Sequence, residues 1–171
     1  SDVYKRQEEE SNQIKDVLLT ADLYGIESHG MQRMVRYHKG IEKGTIHPQA
    51  KPEVVFETPI SAVIDGHNGM GQLISVFAMK KAIEKAKKTG VGIVSVRNSN
   101  HFGIAGYYAK MAVAWAVSVY FAAFPDEMLT YLQDGHKLDE FTYKKSLQKI
   151  TESYRVDKEM KKIIKEMRQR G

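Results

Sequence analysis

The residues able to do chemistry fall in two places. His29, Arg33 and Tyr37 lie at i, i+4 and i+8, with Arg36 close by. On a helix that spacing stacks them on one face. A guanidinium holds a carboxylate by a two-point contact. An imidazole one turn away, titrating near neutrality, moves a proton to or from a neighbouring oxygen. The same spacing also suits a solvated helix face with an incidental histidine. The second place is Asn98-Ser99-Asn100-His101-Phe102-Gly103, between an apolar strand and a helix start. There α/β proteins put ligands, beyond the carboxyl end of a strand. Its glycine permits close backbone approach. A capped βα turn with a functionless histidine is the other reading.

Other motifs are weaker or missing. Asp65-Gly66-His67-Asn68-Gly69-Met70-Gly71-Gln72 is glycine-rich, but it does not fit G-x-G-x-x-G in register and lacks the Lys-Ser/Thr ending of a P-loop. It reads as a strand-to-helix turn. Six histidines and no cysteine give no thiolate site and no H-x-x-x-H pair, so no metal is expected. There is no Gly-x-Ser-x-Gly elbow.

The elements that must position these groups follow from periodicity. Ile14, Val17, Leu18 and Ala21 form one apolar stripe, which predicts a helix over 11–24 with Ser11 or Asn12 as its cap. A second helix is expected from Ser28, burying Met31, Met34, Val35 and Ile41. Strands are expected at 53–57 and 60–65, a helix at 73–89 and an apolar strand at 91–96, central in its sheet. A helix from about Ile104 follows, with 117–122 as a further strand. Beyond Asp126 the pattern is helical, with stripes Tyr143, Leu147, Ile150, Tyr154 and Val156, Met160, Ile163, Ile164, Met167. The expected class is α/β, a mixed sheet with flanking helices followed by a basic helical tail.

The chain has 171 residues, 42% apolar and 27% charged, ordinary for a globular domain. Residues 141–171 hold 10 Lys or Arg against 4 acidic residues, and residues 1–140 hold 16 against 17. The body is near neutral and the tail basic. Such a tail reads as a solvated lysine-rich face or as a surface for an anionic partner such as nucleic acid. The alternative function is therefore a non-catalytic α/β fragment with an anion-binding tail. The expected domains are a non-native or disordered start (1–10), an α/β part (11–125) and the tail (126–171). The longest uncharged run, Met111 to Pro125, is 15 residues, short for a membrane span. A cytoplasmic location with no membrane partner is the expectation.

Three segments together resemble one family. Ala21-Asp22-Leu23-Tyr24-Gly25-Ile26-Glu27-Ser28-His29-Gly30-Met31-Gln32-Arg33, then Asp65-Gly66 through Gly69-Met70-Gly71-Gln72, then Ser99-Asn100-His101-Phe102-Gly103-Ile104-Ala105-Gly106-Tyr107-Tyr108-Ala109 are similar to the ordered motifs of the malate/L-lactate dehydrogenase-like family. This is the sulfolactate and ureidoglycolate dehydrogenase group, which is not Rossmann-type. The resemblance covers about residues 11–112. It implies NAD- or NADP-dependent interconversion of small 2-hydroxy and 2-oxo (or 2-imino) acids, and a homodimer. It implies His29 as the leading proton donor or acceptor with Ser28 beside it, and Arg33 as the holder of the substrate carboxylate. His101 becomes the second acid–base candidate, and Tyr37 and Asn100 become walls of the site. Nucleic acid is then not an expected partner. Members of the family are longer, so a fragment joined to unrelated sequence from residue 113 is expected, with the dinucleotide contacts unassigned.

Overall fold

A computed structural model describes residues 2–170. The chain forms two compact units that meet in sequence after Tyr108, within a helix, and not at the expected 125/126 boundary.

In the first unit, helix α1 (Asp2–Leu23) buries Val17, Leu18 and Ala21 completely, the stripe expected from periodicity. The helix begins well before Ser11, so residues 2–10 are helical where a disordered start was expected. Strands β1 (Glu53–Glu57) and β2 (Ser61–Gly69) form an antiparallel hairpin. Helix α3 (Gly71–Thr89) then crosses over to β3 (Ile93–Ser99), which pairs with β2 in parallel. Between α1 and β1 lies α2 (Met34–Glu42). The sheet is mixed, in the order β1-β2-β3.

Two expectations about this unit are corrected. β3 is an edge strand and not a central one, with Ile93 57% exposed. An apolar run signals a preference for burial but carries no record of the neighbour that supplies it. The second helix does not start at Ser28. Two short 3-10 turns, Glu27–His29 and Met31–Arg33, precede α2. Gly30 is extended between them, and Asp22 Oδ2 accepts a hydrogen bond from Met31 N at 2.9 Å. A Cβ on Gly30 would collide with the Asp22 carboxylate. The faces are also reversed. Met31, Met34, Val35 and Ile41 are exposed, and Tyr37 is buried at 3% beside Leu18, Ile46 and Met70.

Asp65 pins the two parallel strands together. Its carboxylate accepts from His67 N at 2.9 Å, from Asn98 Nδ2 and from Arg97 Nε at 2.9 Å. The β2–β3 register slips between Asp65 and Gly69, and His67, Asn68 and Asn98 take positive φ there. Bulges of this kind re-aim the residues that follow. The hydrogen bond from His67 N, then those from Asn98 and Arg97, hold the carboxyl down to about 2 from 3.8. A lowered carboxyl pKa stabilises the fold above the unfolded value and stops doing so as pH falls through the folded value. The stability gap between the native chain and Asp65→Asn is therefore expected to be full above 3.8 and to close as pH falls towards 2. Melts at about pH 6 and about pH 3 measure it.

In the second unit, the end of α4 (Ala105–Ala123) carries residues 117–122 as helix, not strand. Ala114, Val117 and Phe121 recur at i, i+3 and i+7 and are all buried. That helical period overrides the β-branched composition that suggested a strand. Helix α5 (Pro125–Thr130) and a π turn (Tyr131–Gly135) lead to α6 (Glu140–Glu152) and α7 (Lys158–Arg170). Val117, Phe121, Leu132, Leu147, Ile150, Val156 and Ile164 form this unit's own core. Tyr154 lies beyond the end of α6 and is 86% exposed, so it leaves the expected stripe. Lys158, Lys162, Lys165 and Arg168 lie on the exposed side of α7. No described helix is long and apolar enough to cross a membrane.

Candidate active site

The two chemical segments meet in the first unit. The rings of His29 and His101 have centroids 5.2 Å apart, tilted by 36°. The Tyr37 hydroxyl lies 2.7 Å from His101 Nδ1. Each group has a local cause. The 3-10 turns and the Asp22 clamp set His29 and Arg33. α2 delivers Tyr37 inward. The bulged end of β2 and β3 sets the loop that carries His101. Asn100 Nδ2 anchors that loop by donating to Asn68 O at 2.8 Å and Gly69 O at 3.1 Å.

The hydrogen bonds fix the form of His101. Gln72, fully buried at the start of α3, donates through Nε2 to the Tyr37 oxygen at 2.7 Å. The Tyr37 hydroxyl proton then points to His101 Nδ1, and Gly103 N approaches the same nitrogen at 3.4 Å. With donors converging on Nδ1, the proton of the neutral ring sits on Nε2. That Nε2 is buried and has no hydrogen-bond partner. A buried donor left unsatisfied costs about 1–3 kcal/mol, and Gln72 Oε1, in the same network, is likewise buried without a partner.

The charge state follows from the surroundings. Burial lowers the His101 pKa below 6.5, and Arg33, His29 and Arg36 lower it further. Burial raises the Tyr37 pKa against the opposing pull of Gln72, Arg33 and Arg36, so its hydroxyl stays protonated. The His101 imidazole resonances are therefore expected to titrate with a midpoint below 6.5. Arg33→Met should move that midpoint up by only part of the shift, because burial is the larger cause. A midpoint at or above the ordinary histidine value contradicts this assignment.

A cleft of about 630 Å³ is lined by Ser28, Gln32, Arg33, Arg36, Lys43 and Asn100, among others, and neither His29 nor His101 lines it. Ser28 and Asn100 each directly precede a histidine in sequence. Ser28 Oγ lies 2.9 Å from His29 Nδ1, and Ser28 O accepts from Arg33 Nε. That bond aims the guanidinium and leaves its terminal nitrogens for a ligand. Of the six residues singled out from sequence, His29, Ser28, Arg33 and His101 gather as a polar centre. Asn100 lines the cleft but spends its amide nitrogen on backbone. Tyr37 is buried behind His101 and is not among the cleft residues. Gln72 and Asp22 were not singled out. Both stood within the quoted motifs, but only the tertiary contacts reveal that one steers Tyr37 and the other clamps the turn.

Comparisons with known proteins identify the family of the chain. The malate/L-lactate dehydrogenase family profile matches residues 4–122. Malate dehydrogenase of Pyrococcus abyssi is 55% identical over 105 residues, 61% of this chain and 29% of that protein. L-sulfolactate dehydrogenase of Methanocaldococcus jannaschii is 47% identical over 106 residues, 62% of this chain and 31% of that protein. The solved structure of malate dehydrogenase from Pyrococcus horikoshii superposes with a TM-score of 0.60 at 53% identity, covering 62% of this chain and 30% of that one. The chain thus spans less than a third of the length of these relatives. The matched residues include every member of the histidine centre and its supports, and by this match the chain belongs to the malate/L-lactate dehydrogenase family.

Proposed function

We propose that this chain carries the substrate-binding and proton-handling part of an NAD- or NADP-dependent 2-hydroxyacid dehydrogenase. The observation that carries the reading is the buried, unpartnered Nε2 of His101 beside the His29 ring. A neutral imidazole N–H donated to the substrate's C2 oxygen stabilises charge developing there. His29, only partly buried and braced by Ser28, exchanges the proton of that oxygen. Arg33 holds the C1 carboxylate by a charge-assisted contact. Tyr37 and Gln72 keep His101 in one tautomer.

A bound nicotinamide supplies the hydride. The free donor of His101 fits the oxygen of a substrate presented to such a ring. No residue of this chain is assigned to the dinucleotide itself. The proposal extends to a homodimer, which sedimentation equilibrium checks.

The test is titration of the chain with pyruvate and L-lactate, followed at the histidine imidazole resonances, alongside NADH and NADPH oxidation assays. Expected are shifts at His101 and His29 on acid binding, lost in Arg33→Met. Acids that leave both rings unmoved at saturating concentration would sink the reading.

A further inference from the structure

In the second unit, one face of α7 carries charge that the fold does not use. Lys158, Lys162, Lys165 and Arg168 are all exposed. At about 100° per residue they fall within an arc of about 120° and run for about 15 Å along the axis. Met160, Ile164 and Met167 lie on the opposite side and pack into the unit's core. Among the described residues Lys158, Lys162 and Lys165 form no ion pair or hydrogen bond. On α6, by contrast, Lys144 pairs with Glu140 and Lys149 with Glu152. A row of unpaired cations suits a polyanion rather than one small anion. At the head of the row the turn into α7 holds an aromatic ring out in water. Tyr154 is 86% exposed. Arg155 Cζ lies 5.5 Å from the centre of that ring, and Arg155 Nε donates to its hydroxyl at 3.3 Å. The turn is fixed from the other side. Val156 is buried in the core, and the Asp157 carboxylate caps α7 by accepting from Glu159 N and Met160 N, both at 2.9 Å.

We infer that this face of the second unit binds single-stranded nucleic acid. Lys158, Lys162, Lys165 and Arg168 follow the phosphates, and Tyr154 stacks on a base. The inference is independent of the proposed function. The family match ends at residue 122, before α6 and α7, so the expectation against nucleic acid drawn from that family does not reach this face. The burial of α7's apolar side chooses among polyanionic partners. A helix that lies in a membrane surface or in a partner's groove must present its apolar side, and here that side is spent on the core. A duplex hides its base faces in its own stack, so an exposed ring suits a single strand.

The test is fluorescence anisotropy of the full chain with a labelled oligothymidine of about 15 nucleotides, at salt from about 50 to 200 mM. The logarithm of the binding constant is expected to fall against that of salt with a slope near about −3, since four phosphate contacts contribute about −0.7 each. Tyr154→Ala should weaken binding about tenfold and leave the slope unchanged. Tyr154→Phe should bind like the native chain, because the ring and not the hydroxyl stacks. Lys162→Gln combined with Lys165→Gln should bring the slope to about half. These positions are exposed, so the variants should melt like the native chain. A duplex of the same length and phosphatidylserine vesicles should both bind more weakly at the same salt. No binding of the oligonucleotide at about 50 mM salt overturns the inference. Duplex or vesicles bound as tightly as the single strand also overturn it. So does Tyr154→Ala binding like the native chain, which would leave only diffuse attraction to a lysine-rich face.

Discussion

If the chain performs the proposed NAD(P)-linked 2-oxo acid reduction, His101→Ala is expected to lower its rate by about 10² to 10³-fold, with a smaller change in KM. That is the usual size of losing one preorganised donor at a developing oxyanion. The donor is His101 Nε2, buried and unpaired, with Tyr37 and Gly103 facing the other nitrogen. His101→Gln separates two roles for this ring. A glutamine amide puts an N–H near the Nε2 position but cannot exchange a proton near neutral pH. If His101 acts as a donor, His101→Gln should recover a good part of the rate lost in His101→Ala. If His101 itself transfers the proton, glutamine should be as inactive as alanine, and the roles of His29 and His101 must be exchanged. Tyr37→Phe should cost less, because it removes the steering hydroxyl and leaves the ring in place. Its mark is a change in the pH profile, since the tautomer of His101 is then no longer fixed.

Much of this was legible in the sequence. The apolar stripe of α1, the strands β1 and β2 and the helix α3 all follow from local period and turn chemistry, while their pairing and connection do not. The two chemical segments also stood out by residue type. What could not be read was long-range. Met31, Met34, Val35 and Ile41 mark a helix face by period, but which face turns inward depends on where Tyr37 finds partners. Those partners, His101 and Gln72, are 64 and 35 residues away. Residues 117–122 are β-prone taken alone and helical only as the continuation of α4. β3 is as apolar as a central strand, yet nothing within the strand tells how many neighbours it has. The break between His29 and α2 depends on the Asp22 side chain reaching Met31 N, a contact with no periodic signature.

One contact joins fold and site closely enough to give the largest expected structural effect. Gly71 opens α3 beneath the loop that carries His101, and a Cβ there would run into the carbonyl oxygens of Asn100 and His101. Backbone carbonyls cannot turn aside as a flexible side chain can, so helix and loop must separate. Gly71→Ala is therefore expected to destabilise the fold by about 3 kcal/mol, the upper range for overpacking. Backbone freedom is not the cause, because Gly71 is absent from the positive-φ positions. The effect is steric, and it should reach the site. Separating α3 from the loop moves Gln72 away from Tyr37 and His101 away from His29. The variant should thus melt earlier, and in its still-folded state His101 should titrate nearer the ordinary histidine value, since lost burial removes the main cause of its shift. Gly106→Ala is the matched control, in a helix with open space around the added methyl, and should be neutral or slightly stabilising. A Gly71→Ala chain that melts like the native one, with His101 titrating unchanged, would show that the loop is not held against α3 by this close approach.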